Sequence, residues 1–272
     1  MMVNLTRRAL IPGFVGIVLT GGIATTRAAA KWVEARYEVY GVAGIHLLTN
    51  RTTIEQAPHQ YGIEMDLDTR GLARMFVDLD SHSDVYGQAG KGVARPQTYE
   101  ANVRRNGVGR HYRIDYGGDG RVIKVSASPA SGQAPPMTEQ QIRGTVDQLT
   151  AYFLLERQLS ERGTCALVVR VFDGRGLYNL RFTDNQRENL AGDGHQNFAG
   201  PAQSCDVVRE DLVANPDRSE GAYDRGKLWY ARVVPGGEMM PVRMEYDTDF
   251  GVVKGYLAEV RAPGIDLRLM PE

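Results

Sequence analysis

The chain has 272 residues, 42% hydrophobic and 24% charged, with 32 Lys and Arg against 33 Asp and Glu. Those fractions are ordinary for a globular protein and exclude disordered, collagen-like and coiled-coil chains. A net charge of −1 offers no basic footprint for nucleic acid, and 31 glycines with 13 tyrosines lean towards strands and turns.

Residues 1–30 read as a cleaved secretory signal peptide. Arg7 and Arg8 form the charged start, residues 9–25 the apolar run, and Ala28-Ala29-Ala30 a small-residue cleavage site before Lys31. Pro12 and four glycines interrupt the run, which is short for a membrane span. The Arg7-Arg8 pair also suits a twin-arginine signal, with the general secretory route preferred. The expected product is a periplasmic chain of 242 residues with a net charge of −4 and no membrane span, folded as one domain over residues 31–272.

Only Cys165 and Cys205 are present. In an oxidising compartment two such cysteines pair, and neither has the neighbours of a metal site or a redox motif. The spacing therefore predicts a disulfide.

From residue 32 onward the pattern has period two, the mark of half-buried antiparallel strands. In residues 32–40, Val33, Ala35, Tyr37 and Val39 alternate with Glu34, Arg36 and Glu38. Residues 61–68 and 77–85 repeat the pattern. Residues 98–104 and 111–116 flank Asn106-Gly107, a pair made for a type I′ hairpin. With Arg105 opposite Val108, Glu100 faces Arg113 and Tyr99 faces Ile114. A second hairpin is predicted about Asp173-Gly174, pairing Leu167 with Leu180, Val169 with Tyr178 and Cys165 with Phe182. That parity sends Cys165 inward, and Cys205 shares a face with Val207.

One segment breaks the period. Thr145 and Gln148 suit a capping box, and the apolar spacing that follows predicts a helix of 14 to 16 residues ending at Gly163. Residues 126–137, rich in Ser, Ala and Pro, read as a loop. Residues 227–234, 240–248 and 252–260 read as a meander whose Pro241 belongs at an edge or bulge.

Several short motifs together resemble a known family. They are Tyr37-Glu38-Val39-Tyr40, Gly144-Thr145-Val146-Asp147, Val171-Phe172-Asp173-Gly174-Arg175, Pro241-Val242-Arg243, and Thr248 with Phe250, Gly251, Val253 and Leu257. The chain is similar to the DUF3108 family of exported proteins from Gram-negative bacteria, across nearly all of its mature length. Gln148 stands where that family carries Pro. The resemblance implies a mainly β fold, a large antiparallel curved sheet in the form of a half-barrel or spiral wrapping one central α-helix. It supplies no catalytic residues.

The most conspicuous polar pattern is Asp78, Asp80, His82 and Asp84 on one strand face. If residues 61–68 pair with it about Gly71-Leu72, Glu64 and Asp66 approach Asp78 and Asp80. This acidic face of Glu64, Asp66, Asp78, Asp80 and His82 would need a cation, either a divalent metal or Arg104 from a following strand. No nucleophile motif, zinc motif or phosphate loop is present, so no enzyme activity and no cofactor is expected. Tyr152, Phe153 and Leu155 make the helix apolar over a wide arc, and with Trp229 they are the candidate ligand-facing residues. The leading expectation is a non-enzymatic periplasmic protein that supports the envelope by binding an apolar ligand, such as a lipid, or an envelope protein. A structural or protein-interaction module without a pocket is second, and an envelope hydrolase with an unrecognised site around Asp193 and His195 is third, Ser204 being a hydroxyl beside Cys205.

Overall fold

The computed structural model describes residues 31–75, 77–129, 137–192, 195, 197–215, 224–248 and 251–270. The signal-peptide reading of residues 1–30 lies outside them, as do Asp193 and Gly194. The described residues form one open antiparallel sheet of 14 strands that does not close by pairing among them.

The first half of the sheet runs through β1 (Lys31–Tyr40), β2 (His46–Ala57), β3 (Gln60–Thr69), β4 (Leu79–Gly90), β5 (Val93–Arg105), β6 (Val108–Tyr116) and β7 (Val122–Ser128). Two helices follow, α1 (Glu139–Ile142) and α2 (Gln148–Arg162). The second half holds β8 (Leu167–Phe172), β9 (Leu177–Leu190), β10 (Gly200–Val213), β11 (Arg225–Ala231), β12 (Met240–Thr248), β13 (Gly251–Ala262) and β14 (Ile265–Arg268). Each strand pairs with its neighbour in sequence within each half, and β1 joins the halves by pairing with β13. β7 and β8 are therefore the two ends of the ladder.

The Asn106-Gly107 hairpin has the predicted register, with Arg105 opposite Val108, Glu100 opposite Arg113 and Tyr99 opposite Ile114. Both turn residues have positive φ, 50° and 80°, as a type I′ turn requires. The second hairpin is displaced by two residues: Leu167 faces Phe182, Val169 faces Leu180 and Val171 faces Tyr178. The cause is Asp173, whose Oδ1 accepts from the backbone N–H groups of Arg175 and Gly176 at 3.0 and 2.7 Å and holds a four-residue turn. A slip of two preserves facing, so Cys165 and Cys205 are both fully buried and joined in a disulfide with their Cα atoms 5.8 Å apart.

α2 starts at Gln148 and stops at Gly163, which is left-handed at φ 68°. Its N-cap is Asp147, not Thr145. Val146 forms a parallel bridge with Val171, and its N–H and C=O bond Arg170 and Phe172 at 3.1 and 2.9 Å. That pairing holds Val146 extended, so the helix can begin only after it. A capping box does occur, but at Thr138 and Gln141 ahead of α1. The stretch read as a loop from residue 126 is strand as far as Ser128. Pro241 sits as expected at an irregularity, since the β11–β12 register shifts between Trp229 and Tyr230.

The core is divided among several clusters. Ala151, Leu155 and Leu159 of α2 pack with Val169, Leu180, Phe182, Val207, Leu228 and Tyr230. On the other side of the helix, Leu149 and Phe153 pack with Tyr61, Ile63 and Val85. Ile114 and Tyr116 of β6 meet Phe172 and Leu177 of the β8–β9 hairpin.

Candidate functional site

Antiparallel pairing gathers rows of charged and polar side chains on one face of the first half of the sheet. One row across it reads Arg36, Arg51, Asp66, His82, Asn102 and His111. The rows beside it read Glu34, Thr53, Glu64, Asp84, Glu100, Arg113 and Glu38, Thr49, Asp68, Asp80, Arg104.

The acidic pattern lies on this face, in a different arrangement from the one expected. A 3-10 turn over Gly71–Met75 lengthens the β3–β4 connection, so Asp66 faces His82, Asp68 faces Asp80 and Glu64 faces Asp84. Glu64 and Asp66 are thereby kept from Asp78 and Asp80 and come together with His82. His82 Nδ1 lies 2.8 Å from Asp66 and 3.8 Å from Glu64, and the potential ligand atoms of the three lie within 4.8 Å of one another. The hydrogen bond to Asp66 raises the His82 pKa, burial opposes it, and the charges of Asp66, Glu64 and Asp84 add to the rise. The three carboxylates thus favour the protonated form of the imidazole at the centre of this group. Arg104 occupies the other acidic pair, 3.3 Å from Asp78 and 3.7 Å from Asp80. Glu100 is bonded by Arg113 at 2.9 Å.

Towards β13 the same face becomes buried, which alternation alone does not foretell. Arg36, Glu38 and Glu259 are 8%, 6% and 5% exposed. The Arg36 guanidinium bonds both carboxylates, and Glu38 also accepts from Thr49 at 2.6 Å and contacts His46 at 2.8 Å. Burial pushes the Glu259 carboxyl up, but Arg261, Arg36 and Arg268 outweigh it and hold the pKa below its ordinary value. The cover comes from the C-terminus: after β14, Leu269 and Met270 bond Ala258 O, and Met270 packs on Tyr256 and Ala258. An open pocket beside this network is lined by Glu34, Arg36, Arg51, Glu259 and Arg261. Its arginines are already matched, since Arg261 bridges Glu259 at 2.6 Å and Glu34 at 3.6 Å.

The opposite face carries most of the apolar side chains, with Asn50, Thr69, Ser81, Ser83, Arg105 and Arg110 among them, and is unevenly covered. Where α2 packs, Tyr61, Ile63 and Val85 are buried. Elsewhere on this face Val39, Leu48, Leu67, Val103 and Tyr112 are only half-buried, as are Met65, Met244 and Tyr246. The registers set Val39 against Leu48, and Met65 and Leu67 on the face opposite Asp66. Gly255 shares this face: a Cβ there would meet the Met244 side chain at 2.8 Å and Val39 at 3.6 Å.

The helix residues named from the sequence divide by direction. Phe153 stacks on Tyr61 at 4.8 Å and is 2% exposed, and Leu155 is fully buried. Tyr152 is half-buried, edge-on to Phe182. Trp229 is 4% exposed between Arg243 and Lys227, and its indole N–H donates to Glu188. His195 is exposed and stacks on Tyr40 at 4.0 Å, while the Ser204 hydroxyl is buried and bonded to the Gln186 backbone. Those two residues therefore serve different contacts.

Sequence reasoning missed that the inner-face apolar residues are only half-buried. Its signal was present in the inward positions Leu48, Met65 and Leu67, but period two cannot separate a covered face from an open one.

The family model for a protein of unknown function, DUF3108, matches residues 36–258. No curated protein matches the chain. Among solved structures it is similar to a β-barrel-like protein of domain of unknown function DUF1849 from Brucella abortus. That likeness has a TM-score of 0.51 at 10% identity, covering 85% of this chain and 98% of the other. At such identity the likeness concerns fold alone.

Proposed function

We propose, for a chain that belongs to the DUF3108 family of proteins of unknown function, that it is a non-enzymatic binding protein of the cell envelope. It is exported to the periplasm and takes an apolar ligand, such as a lipid, against the inner face of its sheet. One observation carries this reading: Val39, Leu48, Leu67, Val103 and Tyr112 are half-buried apolar side chains on the inner face of a sheet whose opposite face is charged. Apolar surface left open beside a sealed core is the usual property of a ligand-accepting wall.

The shape required is a sheet curled about α2. It is supported by the helix touching strands far apart in the ladder, with Phe153 on Tyr61 of β3 and Leu155 among β8 to β11 side chains. Contact of Ile114 and Tyr116 with Phe172 and Leu177, near the two ends of the ladder, supports it as well.

The test is lipid extraction from protein isolated gently from the periplasm, read by mass spectrometry. The wild type should retain a bound amphiphile, and Leu67→Asp, which places a charge on the inner face, should lose it. Finding no lipid in the wild type would overturn the reading.

A second reading, an interaction module for an envelope protein, is favoured by β7. This edge strand exposes Ile123 at 67% and Val125 at 38%, and an unpaired edge can accept a partner strand. Charged substitutions at Ile123 and Val125 would weaken partner capture in that case and leave lipid retention intact.

A further inference from the structure

We infer that the turn between β1 and β2, with the start of β13 beside it, is a docking tip for the surface of a zwitterionic lipid bilayer, into which Val42, Ile45 and Val252 insert. The inference goes beyond the ligand reading above and does not depend on it.

From Val39 to Leu48 the chain contains no Asp, Glu, Lys or Arg. The centre of that stretch, Gly41-Val42-Ala43-Gly44-Ile45, is a turn that closes on itself. The Gly41 N–H donates to Ile45 O at 2.9 Å, the Gly44 N–H to Gly41 O at 3.2 Å and the Ile45 N–H to Val42 O at 3.4 Å. Ala43 is left-handed at φ 58°, so the turn holds a backbone shape that a Cβ disfavours. With most of its N–H groups bonded internally, the turn turns side chains outward: Val42 is 64% exposed and Ile45 52%. Gly251 at the start of β13 lies against them, since a Cβ there would meet the Val42 side chain at 3.0 Å. Val252, the next residue, is 42% exposed.

Behind this aliphatic end comes a layer of rings. Tyr40 stacks on His195 at 4.0 Å and lies 5.1 Å from His46 and 6.1 Å from Tyr256. Lys254, opposite Tyr40 in the ladder, sets its ammonium 3.5 Å from Glu245, and Asp247 faces Arg225 on the neighbouring strands. Further back lie the buried charges Arg36, Glu38 and Glu259. Aliphatic, then amphipathic ring, then charge is the order that a bilayer presents from its hydrocarbon through its interface to water. A turn whose amides already bond its own carbonyls also loses little on leaving water. A protein-binding hot spot instead centres on exposed Trp, Tyr or Arg, and here the outermost side chains are aliphatic. The charges behind the tip are of mixed sign and the chain's net charge is −1, so anionic lipid gains no advantage and a zwitterionic surface suffices.

The experiment is co-sedimentation of the purified protein with vesicles of phosphatidylcholine alone and of phosphatidylcholine mixed with phosphatidylglycerol. The wild type should bind both within about twofold of each other, and added salt should not release it. Val42→Asp combined with Ile45→Asp should lower the partition coefficient at least about tenfold, because binding scales with the apolar area inserted. Val93→Asp alters a residue that is also open, 44% exposed, but that strand alternation puts at the opposite end of the sheet. It should leave the coefficient within about twofold. Val42→Trp supplies a second readout that does not depend on the folding of the double variant: its added fluorescence should be quenched by brominated phosphatidylcholine. Binding retained by the double variant, an equal loss in Val93→Asp, or an unquenched Val42→Trp would each overturn the inference. So would binding confined to phosphatidylglycerol vesicles and reversed by salt. No vesicle binding by the wild type would overturn it while leaving the inner-face ligand reading standing, and a protein partner captured by the wild type and lost by the double variant would then assign the tip to that protein.

Discussion

Arg36 and Arg104 carry the same side chain on the same face of the sheet, and their surroundings give them opposite weights. Arg36 is 8% exposed and shared by Glu38 and Glu259, which are buried with it. Arg36→Ala would leave two enclosed carboxylates without their common partner and should cost about 3–5 kcal/mol. Arg104, nearly half exposed over Asp78 and Asp80, should cost under about 1 kcal/mol on the same replacement. Urea unfolding of the two variants measures the difference, and equal losses would contradict the burial argument. Glu156 gives a second residue-scale prediction. The pKa of its carboxyl is ordinarily 4.5, and burial, then Glu238, pushes it up to about 8 in the fold, so between these the folded chain holds a proton that the unfolded chain has released. The stability contributed is full below pH 4.5 and declines as pH rises to about 8. Denaturation midpoints of wild type and Glu156→Gln should therefore differ in their pH slope across that window, with the wild type falling more steeply. The sequence placed Arg36, Glu38 and Glu156 correctly on their strand or helix. It could not show which were enclosed, because the cover over Arg36 and Glu38 comes from Met270, distant along the chain.

At the scale of elements, α2 depends on what precedes it. Asp147 caps the helix from a fully buried position, and the Thr150 hydroxyl that bonds it is also 2.7 Å from the Tyr61 hydroxyl. Asp147→Ala should cost about 2 kcal/mol through the lost cap, and circular dichroism during unfolding would show whether helix is lost first. Thr145→Ala should cost less, since that hydroxyl bonds only Ile142 O at 2.7 Å and caps no helix. The disulfide ties the segment after α2 to β10 across a separation of 40 residues. Cys165→Ser with Cys205→Ser should lower stability by about 3–4 kcal/mol in the chain-entropy account; an unchanged guanidinium midpoint would refute it. Local chemistry made the Asn106-Gly107 register legible because both turn residues tolerate positive φ. The Asp173 turn misled the expectation by two residues because its side chain, rather than a tight glycine pair, sets the loop length.

For the whole molecule, α2 is shared between cores built on both halves of the sheet, through Phe153 on one side and Leu155 and Leu159 on the other. The halves should therefore unfold together. Trp229 fluorescence and far-ultraviolet circular dichroism should report coincident transitions, whereas two separated transitions would indicate that each half is stable alone.

Strand content, the first hairpin, the inward cysteines and the end of α2 at Gly163 were all determined by the sequence itself, because period two, turn chemistry and C-capping act over a few residues. The acidic strand pattern was equally legible, but its partners were not. Whether Asp66 meets Asp78 or His82 turns on a 3-10 turn of five residues, and a change in connection length moves every cross-strand pair at once. Tertiary structure alone decided that Arg36, Glu38 and Glu259 are buried and that Leu48, Leu67 and Val103 are left half-open. Alternation assigns a side chain to a face, but what covers that face is set by elements far away in the chain, here the C-terminal segment outside and α2 within.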